Sequence, residues 1–417
     1  MPSGKEAIIL AGGLGTRLRD TVPDLPKCMA PVAGRPFLFY VINQLRSQGI
    51  ERFIFSLGFR SDSILSYLET EFNTLDYTCC VEDQPLGTGG AIQVAAKLCN
   101  TDTVGIANGD TLYRADLVKA WELHKELNAE CSLLLKPMKA FDRYGVVEID
   151  PQNTITSFRE KQFYEQGNIN GGLYILNLPA FLSRGFPEKF SFETDYLEKY
   201  YEGGKFAGII DNGYFIDIGI PEDFSRAQAE LKKPPLDLHA IDKSWTIFID
   251  RDGVINEEKK EDYILNWNEF KFYNGVKEAL ARIASRFGKI IVVSNQRGVG
   301  KRSMTLEDLQ DIHRNMLHEI HAAGGRIDNI YYCTATENKD SCRKPNPGMA
   351  FKAKRDDPSI DLGKAIMIGN KLSDMRFARN AGLCSVFLAT TNPDTPSPHP
   401  DIDLRFNDLL EFANRLG

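Results

Sequence analysis

Apolar positions along the chain follow two rhythms. Short runs of crowded apolar and β-branched residues, at 7–10, 53–57 and 103–107, alternate with stretches in which apolar residues recur every three to four positions, at 36–48 and 90–98. The runs predict buried strands and the spaced stretches predict helices packed on them. Alternation of the two predicts an α/β fold wound on a mainly parallel sheet. From 132 to 218 the rhythm turns to strands, at 132–136, 146–149, 173–176 and 214–218, and a helix at 221–231 closes the region. Lys232-Lys233-Pro234-Pro235 then ends it, because prolines lack the N–H a helix needs and restrict the residue before them. A second alternation follows, with strands at 246–249, 289–293, 329–333, 365–368 and 384–388 and helices at 275–285, 306–321 and 375–381. The expected organisation is two α/β domains, 1–231 and 244–417, with a linker at 232–243. No internal repeat, low-complexity tract or heptad series interrupts it.

Composition narrows the classes of function. A chain of 417 residues is long enough for two or three domains with their own cores. Fifty Lys and Arg against 57 Asp and Glu give a net charge of −7, which argues against a dedicated nucleic-acid binder. The eight cysteines have no disulfide-framework spacing, so a reducing cytoplasm is the expected setting. The first ten residues are too short and wrongly flanked for a signal peptide, and no apolar run approaches the roughly 20 residues of a membrane helix. Small-molecule substrates are therefore expected, with neither nucleic acid nor membrane as partner; a homo-oligomer stays open.

Chemistry-bearing residues gather at predicted strand ends. After the first strand comes Ala11-Gly12-Gly13-Leu14-Gly15-Thr16-Arg17-Leu18, where missing side chains let backbone N–H groups approach phosphate oxygens and Arg17 adds a charged fork. It has no Gly-Lys-Ser/Thr and its spacing differs from the dinucleotide fingerprint. Alone it reads equally well as a tight turn. It is followed, in order, by Leu25-Pro26-Lys27-Cys28-Met29-Ala30-Pro31-Val32, Glu82-Asp83-Gln84-Pro85-Leu86-Gly87-Thr88-Gly89-Gly90-Ala91-Ile92, Asn108-Gly109-Asp110, Glu160-Lys161, Asn170-Gly171-Gly172 and Phe215-Ile216-Asp217-Ile218-Gly219. This series resembles the sugar-1-phosphate nucleotidylyltransferases over residues 5–231. The resemblance implies attack of a sugar phosphate on the α-phosphorus of a nucleoside triphosphate, catalysed by charge neutralisation and positioning. It implies that Arg17 and Lys27 hold the triphosphate and that Gly12, Gly13, Gln84, Gly87, Thr88 and Gly89 frame base and ribose. Asp110 and Asp217 would hold Mg²⁺, and Glu160, Lys161 and Asn170 would contact the sugar phosphate. The family's C-terminal hexapeptide β-helix is absent.

In the second half, Asp250-Arg251-Asp252-Gly253 ends a strand with two carboxylates at i and i+2, which point to one face. That suits a nucleophile and an acid/base, although an exposed Asp-x-Asp turn reads the same way. Ser294-Asn295-Gln296, Cys342-Arg343-Lys344-Pro345-Asn346-Pro347-Gly348-Met349 and Gly369-Asn370-Lys371-Leu372-Ser373-Asp374 follow. The quartet resembles the haloacid dehalogenase-like (HAD-like) phosphatases, and its wording is similar to the heptose bisphosphate 7-phosphatase and histidinol-phosphatase branch. The resemblance implies two Rossmann-like domains, Asp250 as nucleophile, Asp252 as acid/base, and Ser294 and Lys344 as stabilisers of the transferring phosphoryl group. Mg²⁺ would be held by Asp250, Asp252 and either Asn370 or Asp374; Asn295, Arg343 and Lys371 would contact substrate. The family carries Asp where Asn370 stands. The branch's zinc loop keeps only Cys333 and Cys342 here, so zinc is not expected. His313, His318 and His321 read as a solvated helix surface.

The two reactions run in series, since a phosphatase acting on the distal phosphate of a sugar bisphosphate leaves a sugar 1-phosphate. The N-terminal wording looks most like the heptose 1-phosphate guanylyltransferases, which implies heptose 1,7-bisphosphate, heptose 1-phosphate and GTP as substrates. Another sugar with UTP, CTP or ATP, or a catalytically silent sensor, stays open at this stage, because the motifs do not spell out base choice.

Overall fold

The computed structural model of the chain describes residues 4–13, 22, 25–203, 205–232, 235–259 and 262–416. It divides into two compact units, Met1–Lys233 and Pro234–Gly417.

In the first unit the strand Lys5–Ala11 lies between Ile50–Leu57 and Thr103–Asn108, parallel to both, and Asp76–Val81 extends this side in parallel. Period-two geometry sends Ala7 and Ile9 into one core cluster and Ile8 into the other. Helix Phe37–Ser47 covers the first face and Gly87–Ala96 the second, which is why the strand reads as an unbroken apolar run. The other half of the sheet is antiparallel. The 14-residue strand Tyr164–Asn177 pairs with Thr103–Asn108 and with Cys131–Phe141, and Val146–Ile149 and Ile155–Arg159 add to it. The sheet is thus mixed, where the apolar rhythm predicts a mainly parallel one. Only the apolar end of the long strand, 173–176, is visible in the sequence. Its first half carries Glu165, Gln166, Asn168 and Asn170 on a partly exposed surface.

The second unit is a six-stranded parallel sheet. In spatial order it runs Asn329–Cys333, Lys289–Asn295, Thr246–Ile249, Ala365–Gly369, Cys384–Leu388 and Leu404–Phe406. In chain order this is 3-2-1-4-5-6, the doubly wound arrangement whose ligand crevice opens at the carboxyl ends of strands 1 and 4. Ile247 and Ile249 face one core and Phe248 the other. Part of the span expected as linker packs on this unit, since Ile241 is buried in its core and Lys243 Nζ donates to the Ala284 carbonyl at 2.8 Å.

Candidate active sites

At the carboxyl end of the first unit's parallel strands lies a cavity of about 610 Å³, lined by Gly12, Gly13, Lys27, Gln84, Gly87, Thr88 and Asp110 among others. A side chain at Gly13 would project into open space, whereas one at Gly12 would stand 3.3 Å from Glu82 Oε1. Pro26 leads into a single 3₁₀ turn, Lys27–Met29, that aims Lys27 Nζ at Asp110 Oδ2, 2.9 Å away. Asp110 follows the strand Thr103–Asn108. The short antiparallel pair Thr111–Tyr113 and Phe215–Asp217 sets Asp217 opposite Thr111 and lets Ile218 N donate to Asp110 O at 3.1 Å. A Cβ at Gly219 would sit 2.8 Å from Asp217 Oδ1 and 3.1 Å from Lys27 Nζ, so glycine keeps open the space beside two carboxylates and a lysine. Hard oxygens around a space kept open by glycine fit Mg²⁺.

Other expected residues stand elsewhere. Gly89 does not line the cavity; a Cβ there would lie 2.3 Å from the Phe190 ring, so its job is packing. Glu160 and Lys161 are exposed in the turn before the long strand and line none of this cavity. Asn170 spends both amide atoms locally, donating to Tyr174 OH at 2.9 Å and accepting from Gly172 N at 3.0 Å. Arg17 lies outside the described residues. Glu193, unforeseen, lines the cavity and accepts from Thr88 Oγ1 at 2.6 Å. It comes from the six-residue π-helix Phe192–Leu197, whose sequence carries no motif.

The second constellation is buried. Asp250 follows strand Thr246–Ile249, and its Oδ1 accepts from Arg251 N at 2.7 Å and Lys344 Nζ at 2.9 Å. Lys344 Nζ also meets Asp374 Oδ1 at 2.7 Å and donates to Val293 O at 3.0 Å. Burial pushes the Asp250 carboxyl up, with Lys344 opposing. Burial opposes the Lys344 charge as well, yet Asp250 and Asp374 outweigh it and its pKa is raised. Asp252 moves the other way. Despite burial its pKa is lowered, because Arg251, Asn256 and Gln296 all donate to its carboxylate. Gln296 Nε2 also donates to Ser294 Oγ at 2.7 Å.

Asn370 answers the question of metal fit. It is fully buried, its Nδ2 donates to Thr391 Oγ1 at 2.5 Å, and its Oδ1 is shut from water without a partner. Asp374 is committed, one oxygen to Lys344 and the other to Lys371 N at 3.0 Å. An orphaned amide oxygen at the end of the strand paired with the one that leads into Asp250 fits Mg²⁺. Gly253, at φ 86°, is required here, because a Cβ would meet Asn370 Nδ2 at 2.0 Å.

Four further residues or pairs of this unit have partners that the sequence did not show. Asn295 donates from Nδ2 to Lys344 O at 3.1 Å and accepts from Lys344 N at 3.0 Å, so it locks the loop that carries Lys344. Lys371 pairs with Glu258 at 2.6 Å. Cys333 and Cys342 are bonded to each other, because the loop after strand Asn329–Cys333 returns their Cα atoms to 5.5 Å. His313 is not solvated. It is buried 3.3 Å from Arg251 Nη1, and burial, then Arg251, depresses its pKa to about 3. Arg251, one of the largest fully buried side chains, was the missed signal: a charge inside an apolar strand end needs buried partners.

Fold and sites together define a nucleotidyl transferase and a phosphatase in one chain. The chain belongs to the nucleotidyl transferase family, whose profile matches residues 6–234, and the polynucleotide kinase 3 phosphatase profile matches residues 245–406. The first half is 47% identical over 227 residues to D-glycero-alpha-D-manno-heptose 1-phosphate guanylyltransferase of Aneurinibacillus thermoaerophilus, covering 54% of this chain and 98% of that protein. The second is 33% identical over 174 residues to D-glycero-alpha-D-manno-heptose-1,7-bisphosphate 7-phosphatase of Mycobacterium bovis, covering 42% of this chain and 92% of that protein. The crystal structure of HddC from Yersinia pseudotuberculosis complexed with GMP-PN is similar at 37% identity and a TM-score of 0.50, covering 55% of this chain and all of that one. Among the described residues, no helix is long and apolar enough to cross a membrane.

Proposed function

We propose that the second unit removes the 7-phosphate of D-glycero-α-D-manno-heptose 1,7-bisphosphate and the first transfers guanylyl from GTP to the resulting heptose 1-phosphate, giving GDP-heptose and pyrophosphate. The observation that carries this reading is that one chain spans nearly the whole of two relatives whose named reactions are consecutive.

In the phosphatase, Asp250 Oδ attacks phosphorus 7 and the bond to heptose O7 breaks, leaving an aspartyl-phosphate. Asp250 must first give up the proton that its burial favours, and Asp252, ionised in the substrate-free site, takes one up as the phosphate enters; Asp252 then passes that proton to the leaving oxygen and takes one from the water that hydrolyses the aspartyl-phosphate. Lys344 and Ser294 balance charge on the transferring group. Asp250, the Asp252 carbonyl and Asn370 Oδ1 would hold Mg²⁺, which when bound neutralises phosphate charge. Asp374 instead positions Lys344.

In the transferase no protein nucleophile is needed. A heptose phosphate oxygen attacks the α-phosphorus of GTP and pyrophosphate leaves, with Lys27 holding phosphate charge; Asp110 and Asp217 would hold Mg²⁺, which would neutralise charge on the triphosphate. Gly12, Gly13, Gln84, Gly87 and Thr88 frame the nucleoside, and Arg17 joins Lys27 on the triphosphate.

A phosphorus NMR time course with Mg²⁺, the heptose bisphosphate and equimolar GTP, ATP, UTP and CTP tests the reading. Phosphate should appear first, followed by loss of GTP, pyrophosphate and a new diphosphate ester. Consumption of a different nucleotide would refute the guanylyl assignment, and no release of phosphate would refute the phosphatase assignment.

A further inference from the structure

A buried arginine stands between the two motif carboxylates. Arg251 comes just after the strand Thr246–Ile249, and its side chain is 1% exposed, while that of Asp252 is 25% exposed. Arg251 Nη2 donates to Asp252 Oδ1 at 2.9 Å and to Oδ2 at 3.0 Å, and Nε donates to Oδ1 at 3.3 Å. The remaining nitrogen, Nη1, donates to His313 Nε2 at 3.3 Å. Arginine has no acceptor, so the imidazole accepts through Nε2 and carries its proton on Nδ1. Burial, and then Arg251, hold His313 neutral, which keeps that acceptor available.

The matching of this buried charge fixes a carboxylate that solvent can reach. Gln296, just past the neighbouring strand Lys289–Asn295, braces both partners: its Nε2 donates to Asp252 Oδ2 at 2.9 Å and its Oε1 accepts from Arg251 Nη2 at 3.3 Å. Asn256 Nδ2 donates to Asp252 Oδ1 at 3.0 Å. Each oxygen of Asp252 thus has more than one donor, which sets the plane of the carboxylate. His313 is held in turn, buried on the helix Leu306–Ala322 with its ring 5.7 Å from that of Tyr332 on the strand Asn329–Cys333. A hydrogen bond weakens steeply when its angle is poor, so an error anywhere along this chain of contacts reaches the group that moves the proton.

We propose that His313 and Arg251 are positioning residues of the phosphatase: His313 sets the guanidinium, and Arg251, with Gln296, holds the Asp252 carboxylate at the angle from which it protonates the leaving oxygen. The proposal rests on the phosphatase reading of the second unit and deepens it. The motifs give no task to Arg251, Gln296 or His313; their geometry does. Loss of the clamp should depend on the leaving group, because a sugar alkoxide needs the aligned acid, whereas p-nitrophenolate is stable enough to leave as an anion.

The test is steady-state kinetics with Mg²⁺ of the full chain and its His313→Leu, His313→Gln and Arg251→Lys variants. The substrates are heptose 1,7-bisphosphate and fructose 1,6-bisphosphate, which lose alkoxides, and p-nitrophenyl phosphate. The ratio kcat/KM covers the steps up to the aspartyl-phosphate and so isolates departure of the leaving group. For the better bisphosphate, His313→Leu should lower kcat/KM at least about tenfold more than it does for p-nitrophenyl phosphate, part of the roughly hundredfold or more that a general acid supplies. Arg251→Lys keeps the charge but loses the fork and should be selective in the same way. His313→Gln offers Arg251 an amide oxygen and should recover most of the loss. Equal losses on all substrates, or a bisphosphate rate that survives both His313→Leu and Arg251→Lys, would overturn the inference and leave the phosphatase reading intact. A wild type that prefers fructose 1,6-bisphosphate would refute the heptose reading while supporting the clamp, provided His313→Leu slows that substrate selectively.

Discussion

The two units handle phosphate charge in opposite ways. In the first, Lys27 and Asp110 face a wide cavity with 16% and 30% of their side chains exposed. In the second, Lys344 and Asp374 are 2% and 1% exposed, and Asp250 is 10% exposed. A pair that solvent still reaches is partly screened and contributes less to folding than a fully buried one. A buried knot of two carboxylates and one lysine is structural and catalytic at once, because removing the lysine strands both carboxylates. Residues with the same chemical task should therefore differ sharply in what their loss does to the protein.

The largest effects should fall on activity and stay within one unit. Asp250→Asn removes the nucleophile and should lower phosphatase turnover at least about a thousandfold while leaving guanylyl transfer unchanged. Asp217→Ala should do the reverse. Phosphate release and pyrophosphate release, followed on the same samples, check both; a variant that lost both activities would break the division into two independent sites.

Stability sharpens the contrast. Lys344→Ala should destabilise the second unit by about 3–5 kcal/mol, since Asp250 and Asp374 are left buried and facing each other. Lys27→Ala should change the first unit by under about 1 kcal/mol while abolishing most transfer. Differential scanning calorimetry of the full chain reads both. A Tm loss for Lys27→Ala matching that for Lys344→Ala would mean that the exposed pair is structural after all.

Metal binding separates two neighbouring oxygens of the second unit. Asn370→Ala removes the orphaned acceptor and should weaken Mg²⁺ binding by about tenfold in isothermal titration, as expected for one lost ligand. Asp374→Asn should mainly misplace Lys344, costing turnover more than affinity. The reverse pattern would make Asp374 the ligand.

How much of this was legible in the sequence follows the same division. Strand-end chemistry was readable where an apolar run stops at a polar cluster, as at Ile249-Asp250 and Gly369-Asn370. Both parallel cores were readable because strands covered on two faces are uninterrupted apolar runs. In the antiparallel half of the first sheet the apolar strand segments at 132–136, 146–149 and 173–176 were readable, but the front of the strand Tyr164–Asn177, polar and half exposed, and the strands Ile155–Arg159 and Phe206–Ile210 were not. Partners brought together across the fold were also invisible. Asn338 meets Arg297 from 41 positions away, and Cys333 reaches Cys342 only because a loop returns. The buried His313 was misread as solvated, since spacing along a helix does not tell which face a sheet will cover.

The smallest expected effect concerns two buried histidines. His124 in the first unit bonds Ser132 Oγ at 2.8 Å, and burial depresses its pKa to about 4; His313 in the second is depressed to about 3. Each stays neutral when folded, while its unfolded form takes up a proton below about pH 6.5. Acidification from pH 6.5 to 5 therefore removes up to about 1.4 kcal/mol of stability per pH unit from each histidine. In the second unit Asp250 acts in the opposite sense. Its folded pKa is raised to about 7, so between pH 6.5 and 5 the folded carboxyl holds more of a proton than the unfolded one, and stability rises as pH falls. Without Mg²⁺ the first unit should thus lose stability across this window while the second stays nearly level. His313→Asn should tilt the second unit toward greater stability at pH 5, and His124→Asn should flatten the first. Urea unfolding of the full chain at pH 6.5 and 5.0, with each transition assigned through these variants, gives the slopes; equal slopes in both units would show that the buried knot does not hold Asp250 protonated.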